Sequence, residues 1–524
     1  MQQEHTLKME ETENAEVCQI NLFSRTARLT DEDSQTIAVE NASLLYFLFL
    51  QCHCNMDYIK GFRHIFSPMI NLFQSMRGEK AISMVGSTAE GLYIPGSSDV
   101  DFMQSKNSEI CCDVDCIEDI NHDNYSKVLI AHRQHASPGY TLVLDLNDYF
   151  LNDVSRRKTH EQLKTEINKL VADRKVQTIA VSSQDYITDV SFKDVPKHGP
   201  AYWLKSSEMM PNVLAFNLLN ISLETDVAFS ISFRCNGILR NWLNRKRTQG
   251  WPSEELKRQI SEVQGHVVPV GRKGSRFEEY EWRICYTQAE IKLVHSLNEV
   301  QLILYFKLKV FSKAVLKDAC SDITSYIIKN VIFWLAESVP NKYFQCRYFI
   351  PRFRATLVCL RKCVRKRYLP NYMIPKRNLF AGKLEGQEQA ALLDVLSNWI
   401  EKCPILEEEK DILPLYKDVV SRKTDKYIDN KVAIIQCLKI TASLFSNMLH
   451  GLPESGNSEA IHAYILRLTS LTDTELCDIQ NIVKTNPTNP TVGIDAWYCT
   501  KLYRFLIAMQ KFFWHYAPRK TKNR

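Results

Sequence analysis

Residues 86–102 read GSTAEGLYIPGSSDVDF and join a Gly-Ser turn to an alternating Asp-Val-Asp. Side chains at i and i+2 of a β-strand share a face, so Asp99 and Asp101 stand together while Val100 and Phe102 point the other way. Two carboxylates aimed at one spot repel unless a cation sits between them. Mg²⁺ and Mn²⁺, hard ions that keep positions open for water and phosphate oxygens, suit that place. Upstream, Gly86 lets the backbone approach closely, and the Ser87 hydroxyl with neighbouring N–H groups can hold phosphate oxygens at a turn before a helix. Neither half is specific alone, since a lone Asp-x-Asp is commonly a solvated strand end. Their joint spacing, between the apolar AISMV of 81–85 and the DFM of 101–103, narrows the reading to phosphoryl transfer.

Working outward, Val227, Phe229, Ile231 and Phe233 alternate with Asp226, Ala228, Ser230 and Ser232. This is the pattern of a half-buried strand with one polar face, and Asp226 opens that face. Glu224 has the same parity. Before the Gly-Ser turn, Ile59, Phe62, Phe66, Ile70, Phe73 and Met76 follow a helical period, with Ser67-Pro68 marking a kink or restart. From about 80 to 235, short strands such as YTLVLDL alternate with polar loops; beyond about 283 nearly every periodic stretch reads as helix. Residues 381–524 contain further amphipathic runs, GQEQAALLDVLSNWI among them, and no catalytic constellation.

Composition bounds the class. A chain of 524 residues, 45% hydrophobic and 24% charged, can bury a large core and suggests two to four domains or lobes of a globular protein. No segment reaches about 18 uncharged apolar residues, and ASLLYFLFLQC is too short to cross a bilayer. The polar, acidic MQQEHTLKMEETENAE lacks the apolar region of a signal peptide, so a cytosolic protein without membrane contact is expected. The 16 cysteines then read as reduced thiols. Cys111-Cys112 with Cys116 is the one cluster with any metal-site character, and it lacks a second half at zinc spacing; Cys52-His53-Cys54 is weaker.

The net charge of +6 is modest, but two segments are locally basic. One carries Arg240, Arg245, Lys246 and Arg247. In the other, Arg352 and Arg354 lead to Arg361, Lys362, Arg365, Lys366 and Arg367, where i, i+4 spacing makes a row of cations along a helix. Such a row suits the phosphates of an A-form duplex read by backbone shape, and equally describes an ordinary solvated face.

The Gly-Ser and Asp-Val-Asp motif is followed in order by DVAFSISFRCNGILRNWLNRKRTQGWPS, GHVVPVG, EWRICYTQAEIKLVHSLNEVQ, SYIIKNVIFWLAES and LPNYMIPKRNLF. This succession, over roughly residues 40–380, resembles cyclic GMP-AMP synthase and its animal relatives, the cGAS-like receptors, within the male-abnormal twenty-one superfamily. The resemblance implies an α+β bilobal nucleotidyltransferase fold: a mixed-sheet lobe with a long spine helix, a C-terminal helical lobe, and an all-α extension. Residues 1–30 would be a polar tail, 31–282 the nucleotidyltransferase core, 283–380 the helical lobe completing the nucleotide site, and 381–524 the extension.

The same resemblance implies roles for particular residues. Asp99, Asp101 and Asp226 would hold two Mg²⁺ or Mn²⁺ ions. Gly86 and Ser87 would hold the triphosphate, with Glu90 supporting that turn or the metal's surroundings. Arg283 would bind a base or phosphates, Lys309 phosphate (with Lys307 one register away), Ser325 the nucleotide, and Tyr326 a base by stacking. The reaction implied is attack of a ribose hydroxyl on the α-phosphate of a nucleoside triphosphate such as ATP or GTP, with pyrophosphate leaving and a cyclic dinucleotide as product. SLNEVQ runs straight between the segments where vertebrate cyclic GMP-AMP synthase carries its zinc loop, so no structural zinc is expected. The invertebrate relatives without that loop are the better comparison, and several of them respond to double-stranded RNA. Such a ligand would order the active site, leaving room for a ligand-induced oligomer. Two rival readings stay open: a catalytically silent interaction protein that keeps the fold, and a nucleotidyltransferase that makes linear products.

Overall fold

The computed structural model describes residues 80–92, 100–121, 124–146, 162, 165–169, 179–189, 197–198, 201–205 and 224–402, the last without 346–347 and 385. The expected tail, the spine helix of 41–77, Cys52-His53-Cys54, Asp99 and the helical runs beyond 402 lie outside the described residues.

Among the described residues nine strands form one mixed sheet: β1 (Lys80–Val85), β2 (Val100–Asp113), β3 (Lys127–His132), β4 (Tyr140–Leu144), β5 (Lys197–His198), β6 (Ala201–Lys205), β7 (Glu224–Arg234), β8 (Gly265–Val268) and β9 (Glu281–Cys285). Their order is β1-β2-β3-β4-β9-β8-β7-β6-β5, and β2 also pairs with β7. The strands β2, β3, β4, β9, β8 and β7 therefore close a ring of pairings. β2 is the organising strand. Its first half runs antiparallel to β1 and parallel to β7; past a register shift between Ser105 and Ile110, its second half lies parallel to both β3 and β7. That second half, Ile110-Cys111-Cys112, has neighbours on both sides and is fully buried, which explains an uninterrupted apolar run in place of alternation.

β7 keeps the alternation read from its sequence. Val227, Phe229, Ile231 and Phe233 are buried, while Asp226 and Ala228 face a partly open side. Short helices α1 (Gly86–Ala89), α2 (Ser183–Asp189), α3 (Asn236–Asn244) and α4 (Glu254–Ser261) flank the sheet.

The helical lobe comprises α5 (Thr287–Ser296), α6 (Glu299–Phe311), α7 (Ser325–Ser338), α8 (Phe349–Lys366) and α9 (Gln387–Lys402). α6 starts at a capping box between Asn298 and Gln301, so NEVQ restarts a helix after α5 with only Leu297 and Asn298 between them. α7 is apolar on nearly every face and is buried along most of its length, as a central helix must be. Trp242, Trp282, Trp334 and Tyr372 join the lobe to the sheet in one continuous core.

Two boundaries differ from the sequence reading. β9 runs across the division drawn at 283, so Arg283 to Cys285 close the sheet; the short EWRIC carries too few residues to betray its strand period. At the other end, α9 packs its buried Leu392, Leu396 and Ile400 into the same core, and Trp399 meets Phe311 edge-on with ring centres 4.6 Å apart. The helical lobe thus continues past 380 to 402.

Candidate active site

β1 delivers the chain into the Gly-Ser turn. Gly86 has φ of 63°, in the left-handed region, and a Cβ there would overlap the Asp101 carboxylate, 2.6 Å from its Cγ. α1 follows at once, and the Ser87 carbonyl accepts the Leu92 N–H at 2.8 Å, closing the turn. Asp101 sits opposite Val85 on β1 and in register with Asp226 on β7. In a parallel pairing, residues in register point to the same face, so two half-buried carboxylates share one side of the sheet beside the Gly-Ser turn.

This donor set fits a divalent hard cation. It is all carboxylate oxygen, it comes from adjacent strands, and the absent side chain of Gly86 leaves the backbone against Asp101. Asp99 would complete the set from outside the described residues.

One cavity of about 840 Å³ gathers the site. Gly86, Ser87, Glu90, Asp101 and Asp226 line its sheet side, Arg283 its β9 wall, and Lys309, Ser325 and Tyr326 its helical side. Every sequence-predicted nucleotide-site residue that is described therefore borders the same space. Of the two lysines one register apart, Lys309 lines the cavity and Lys307 does not. Lys309 is 2% exposed, donates to the Leu92 carbonyl at 3.2 Å, and has its pKa pushed down to about 8, chiefly by burial.

The sequence reading missed the group that ties these walls together. Lys329 on α7 lies 2.9 Å from Glu90 and 3.0 Å from Glu290. Tyr305 donates its hydroxyl to Glu90 at 3.0 Å, and Tyr326 donates its own to Glu290 at 2.9 Å. Asn371 donates to the Tyr326 hydroxyl at 2.8 Å. Burial alone would lower the Lys329 pKa, but the two glutamates outweigh it and hold the ammonium well above its ordinary value. The chain of contacts runs from the Gly-Ser turn to the ring of Tyr326. Glu90 is thus anchored to the helical lobe, and its carboxylate is already committed to Lys329 and Tyr305.

The basic segments are corrected in part. Arg245 and Arg247 are not surface cations: their side chains are 8% and 5% exposed and pair with the buried Glu337 at 2.7 and 3.0 Å. Their guanidinium groups also lie 4.5 Å from the ring centres of Trp334 and Trp242. Arg352 is fully buried, and Arg361 donates to Ser397 of α9 at 3.1 Å. Lys362 is half-buried, whereas Arg240, Lys246, Arg365 and Lys366 are exposed. A basic run of sequence cannot disclose that its arginines turn inward to a glutamate on another helix.

Cys111, Cys112 and Cys116 are free and buried, and burial raises the thiol pKa of each. The carboxylate neighbouring them, Asp113, is taken up by Arg133 at 2.6 Å and by the Cys235 thiol at 2.7 Å. Among the described residues, no helix is long and apolar enough to cross a membrane.

Two family models match this chain. That of the Mab-21 protein nucleotidyltransferase domain matches residues 103–296, and that of the Mab-21 protein HhH/H2TH-like domain matches residues 291–397. The first begins just after Asp101 and takes in Asp226 and Arg283; the second takes in Lys309, Tyr326 and Lys329 and ends inside α9. With both domains of one family present in order and joined through one cavity, the chain belongs to the Mab-21 superfamily, as a nucleotidyltransferase domain followed by its helical domain.

Proposed function

We propose that this protein is a metal-dependent nucleotidyltransferase of the cGAS-like kind, which joins nucleoside triphosphates into a cyclic dinucleotide messenger in response to double-stranded RNA or a similar ligand, as an innate immune receptor. The observation that carries the reading is the in-register pair Asp101 and Asp226, beside the Gly-Ser turn, in a cavity large enough for nucleotides. Divalent ions held by this pair with Asp99 would supply the acidity that activates a ribose hydroxyl and neutralises charge on the attacking and leaving oxygens.

The chain's own groups do the rest. The Ser87 hydroxyl and the N–H groups at the start of α1 hold the triphosphate. Lys309, buried and poised near neutrality, adds a positive charge on the phosphate side. The Tyr326 ring is fixed at its hydroxyl by Glu290 and Asn371, so it offers a base a preset face. Arg283 supplies a cation from β9. Exposed Arg240, Lys246, Arg365 and Lys366 support an electrostatic surface for a duplex.

The test incubates purified protein with labelled ATP, GTP, CTP and UTP and Mg²⁺ or Mn²⁺, with and without double-stranded RNA or DNA. A phosphatase-resistant product that requires intact Asp101 and Asp226 supports the proposal. A phosphatase-sensitive product gives the linear-product enzyme instead, and metal and nucleotide binding without turnover under any trigger favours the silent interaction protein.

A further inference from the structure

Beside Arg283 on β9, the loop after α8 brings three further cations to the cavity, Lys376, Arg377 and Lys383, which the proposed chemistry leaves unused. Among the described residues, no carboxylate pairs with Arg283, Lys376 or Arg377, and Lys383 has only a loose contact with Asp322 at 3.9 Å. Burial and the nearby Arg377 hold the Arg283 guanidinium below its ordinary pKa, and Arg377 and Arg283 likewise press on Lys383. Cations gathered against their own repulsion in a cleft mark a place for an anion.

The loop is built to hold them there. Asn371 donates its N–H to the Arg377 carbonyl at 2.8 Å, and Arg377 donates its own to Ile374 at 2.9 Å. The Asn378 side chain accepts from Leu369 and Phe380, each at 3.0 Å. The Arg377 stem lies over Gly139, where a Cβ would come 2.7 Å from that of Arg377, and its guanidinium lies 5.6 Å from the Tyr140 ring centre. Tyr140 is in turn the register partner of Arg283 across β4 and β9. Two arginines from separate elements therefore converge on one tyrosine.

We infer that Lys376, Arg377 and Lys383, together with Arg283, form a polyphosphate subsite distinct from the Gly-Ser turn. Resting on the nucleotidyltransferase reading, its ligand is the 5′-phosphate chain of the acceptor nucleotide, or else a free polyphosphate of the same chemistry. Guanidinium forks and ammonium groups bind phosphate oxygens through charge-assisted hydrogen bonds, and the acidic pair comes from other elements lining the cavity, β2 and β7. The subsite makes the enzyme select an acceptor that carries phosphates over a bare nucleoside.

The experiment uses the full chain and inorganic tripolyphosphate, titrated calorimetrically without divalent metal, where Asp101 and Asp226 disfavour an anion at the Gly-Ser end. Loss of both cations in Lys376→Ala/Arg377→Ala should weaken binding about tenfold or more, while Lys402→Ala, exposed at the end of α9, binds as the wild type does. Equal binding by the double variant, or none by the wild type, overturns the subsite. A second arm compares acceptor triphosphate with the matching nucleoside as the ratio of kcat/KM values. Collapse of that ratio in the double variant identifies the acceptor's phosphates as the ligand; a preserved ratio with lost tripolyphosphate binding identifies free polyphosphate. A wild type that turns over nothing counts against the enzyme reading alone, since the calorimetric arm still decides the subsite.

Discussion

Asp101 on β2 and Asp226 on β7 are Cα partners in a parallel pairing, so carboxylates from segments far apart in sequence reach one side of the sheet. Side by side without a cation they repel, and a divalent ion turns that repulsion into binding. Asp101→Asn and Asp226→Asn should each lower nucleotide turnover by at least about 10²-fold, the scale set by removing one preorganised electrostatic contact. A readout independent of turnover is thermal unfolding with Mn²⁺. The wild type should gain up to roughly 2.7 kcal/mol at a hundredfold excess of Mn²⁺ over its dissociation constant, and both variants should gain much less. Full Mn²⁺ stabilisation of either variant would remove that carboxylate from the metal set.

Gly86 tests the same corner by shape. Its φ of 63° alone makes alanine cost about 1 kcal/mol, and the new methyl would strike the Asp101 carboxylate. Gly86→Ala should therefore displace Asp101 and abolish Mn²⁺ stabilisation while the protein still unfolds in one cooperative step. Wild-type metal response in this variant would mean that the turn relaxes and that the close approach has no function.

What was legible in the sequence was whatever lay within a few residues. The Asp-Val-Asp alternation, the Gly-Ser turn and the period of β7 are local patterns, and Asp101, Asp226 and Ser87, which those patterns single out, border one cavity in the structure. The Glu90, Lys329 and Glu290 cluster was not legible, because it exists only when α1, α5 and α7 pack together; Lys329 and Glu290 alone read as solvated helix charges, and Glu90 as support for the Gly-Ser turn. Arg245 and Arg247 misled for the converse reason. A run of basic residues resembles a surface, and Glu337 on α7, with the rings of Trp334 and Trp242, draws two of them inward. EWRIC carries little period because it is only five residues long, between a turn-rich loop and a helix.

Lys329 holds two buried carboxylates, so its loss leaves both uncompensated. Lys329→Met should destabilise by about 3–5 kcal/mol, and adding Glu90→Gln should recover part of that loss, since one orphaned charge disappears. The cycle is read by urea unfolding of the wild type, both single variants and the double variant. Strictly additive losses would show that Lys329 and Glu90 act independently, and the link from the Gly-Ser turn to Tyr326 would fail with them.

The inward arginines separate folding from duplex binding. Arg245→Ala should destabilise the fold by stripping Glu337 of a partner, with little change in RNA affinity for the fraction that remains folded. Arg365→Ala/Lys366→Ala, at the exposed end of α8, should leave unfolding unchanged, weaken binding to double-stranded RNA, and reduce the slope of log affinity against log salt by about 1–2. An unchanged salt slope in the double variant would take this face out of any duplex-binding surface.

His132 gives the protein a specific acid sensitivity. It is 7% exposed at the end of β3, and its Nε2 shares a 2.7 Å hydrogen bond with Nδ1 of His135. Burial, reinforced by His135, lowers its pKa from 6.5 to about 4. Between those values the unfolded chain binds a proton that the folded protein refuses, so the stability His132 contributes is complete above pH 6.5 and is lost as pH falls toward 4. The loss should amount to roughly 3 kcal/mol over that window. Urea unfolding at pH 7.5, 6, 5 and 4.5 checks it: stability of His132→Gln should fall less steeply than that of the wild type, and parallel profiles would mean that other groups carry the acid response.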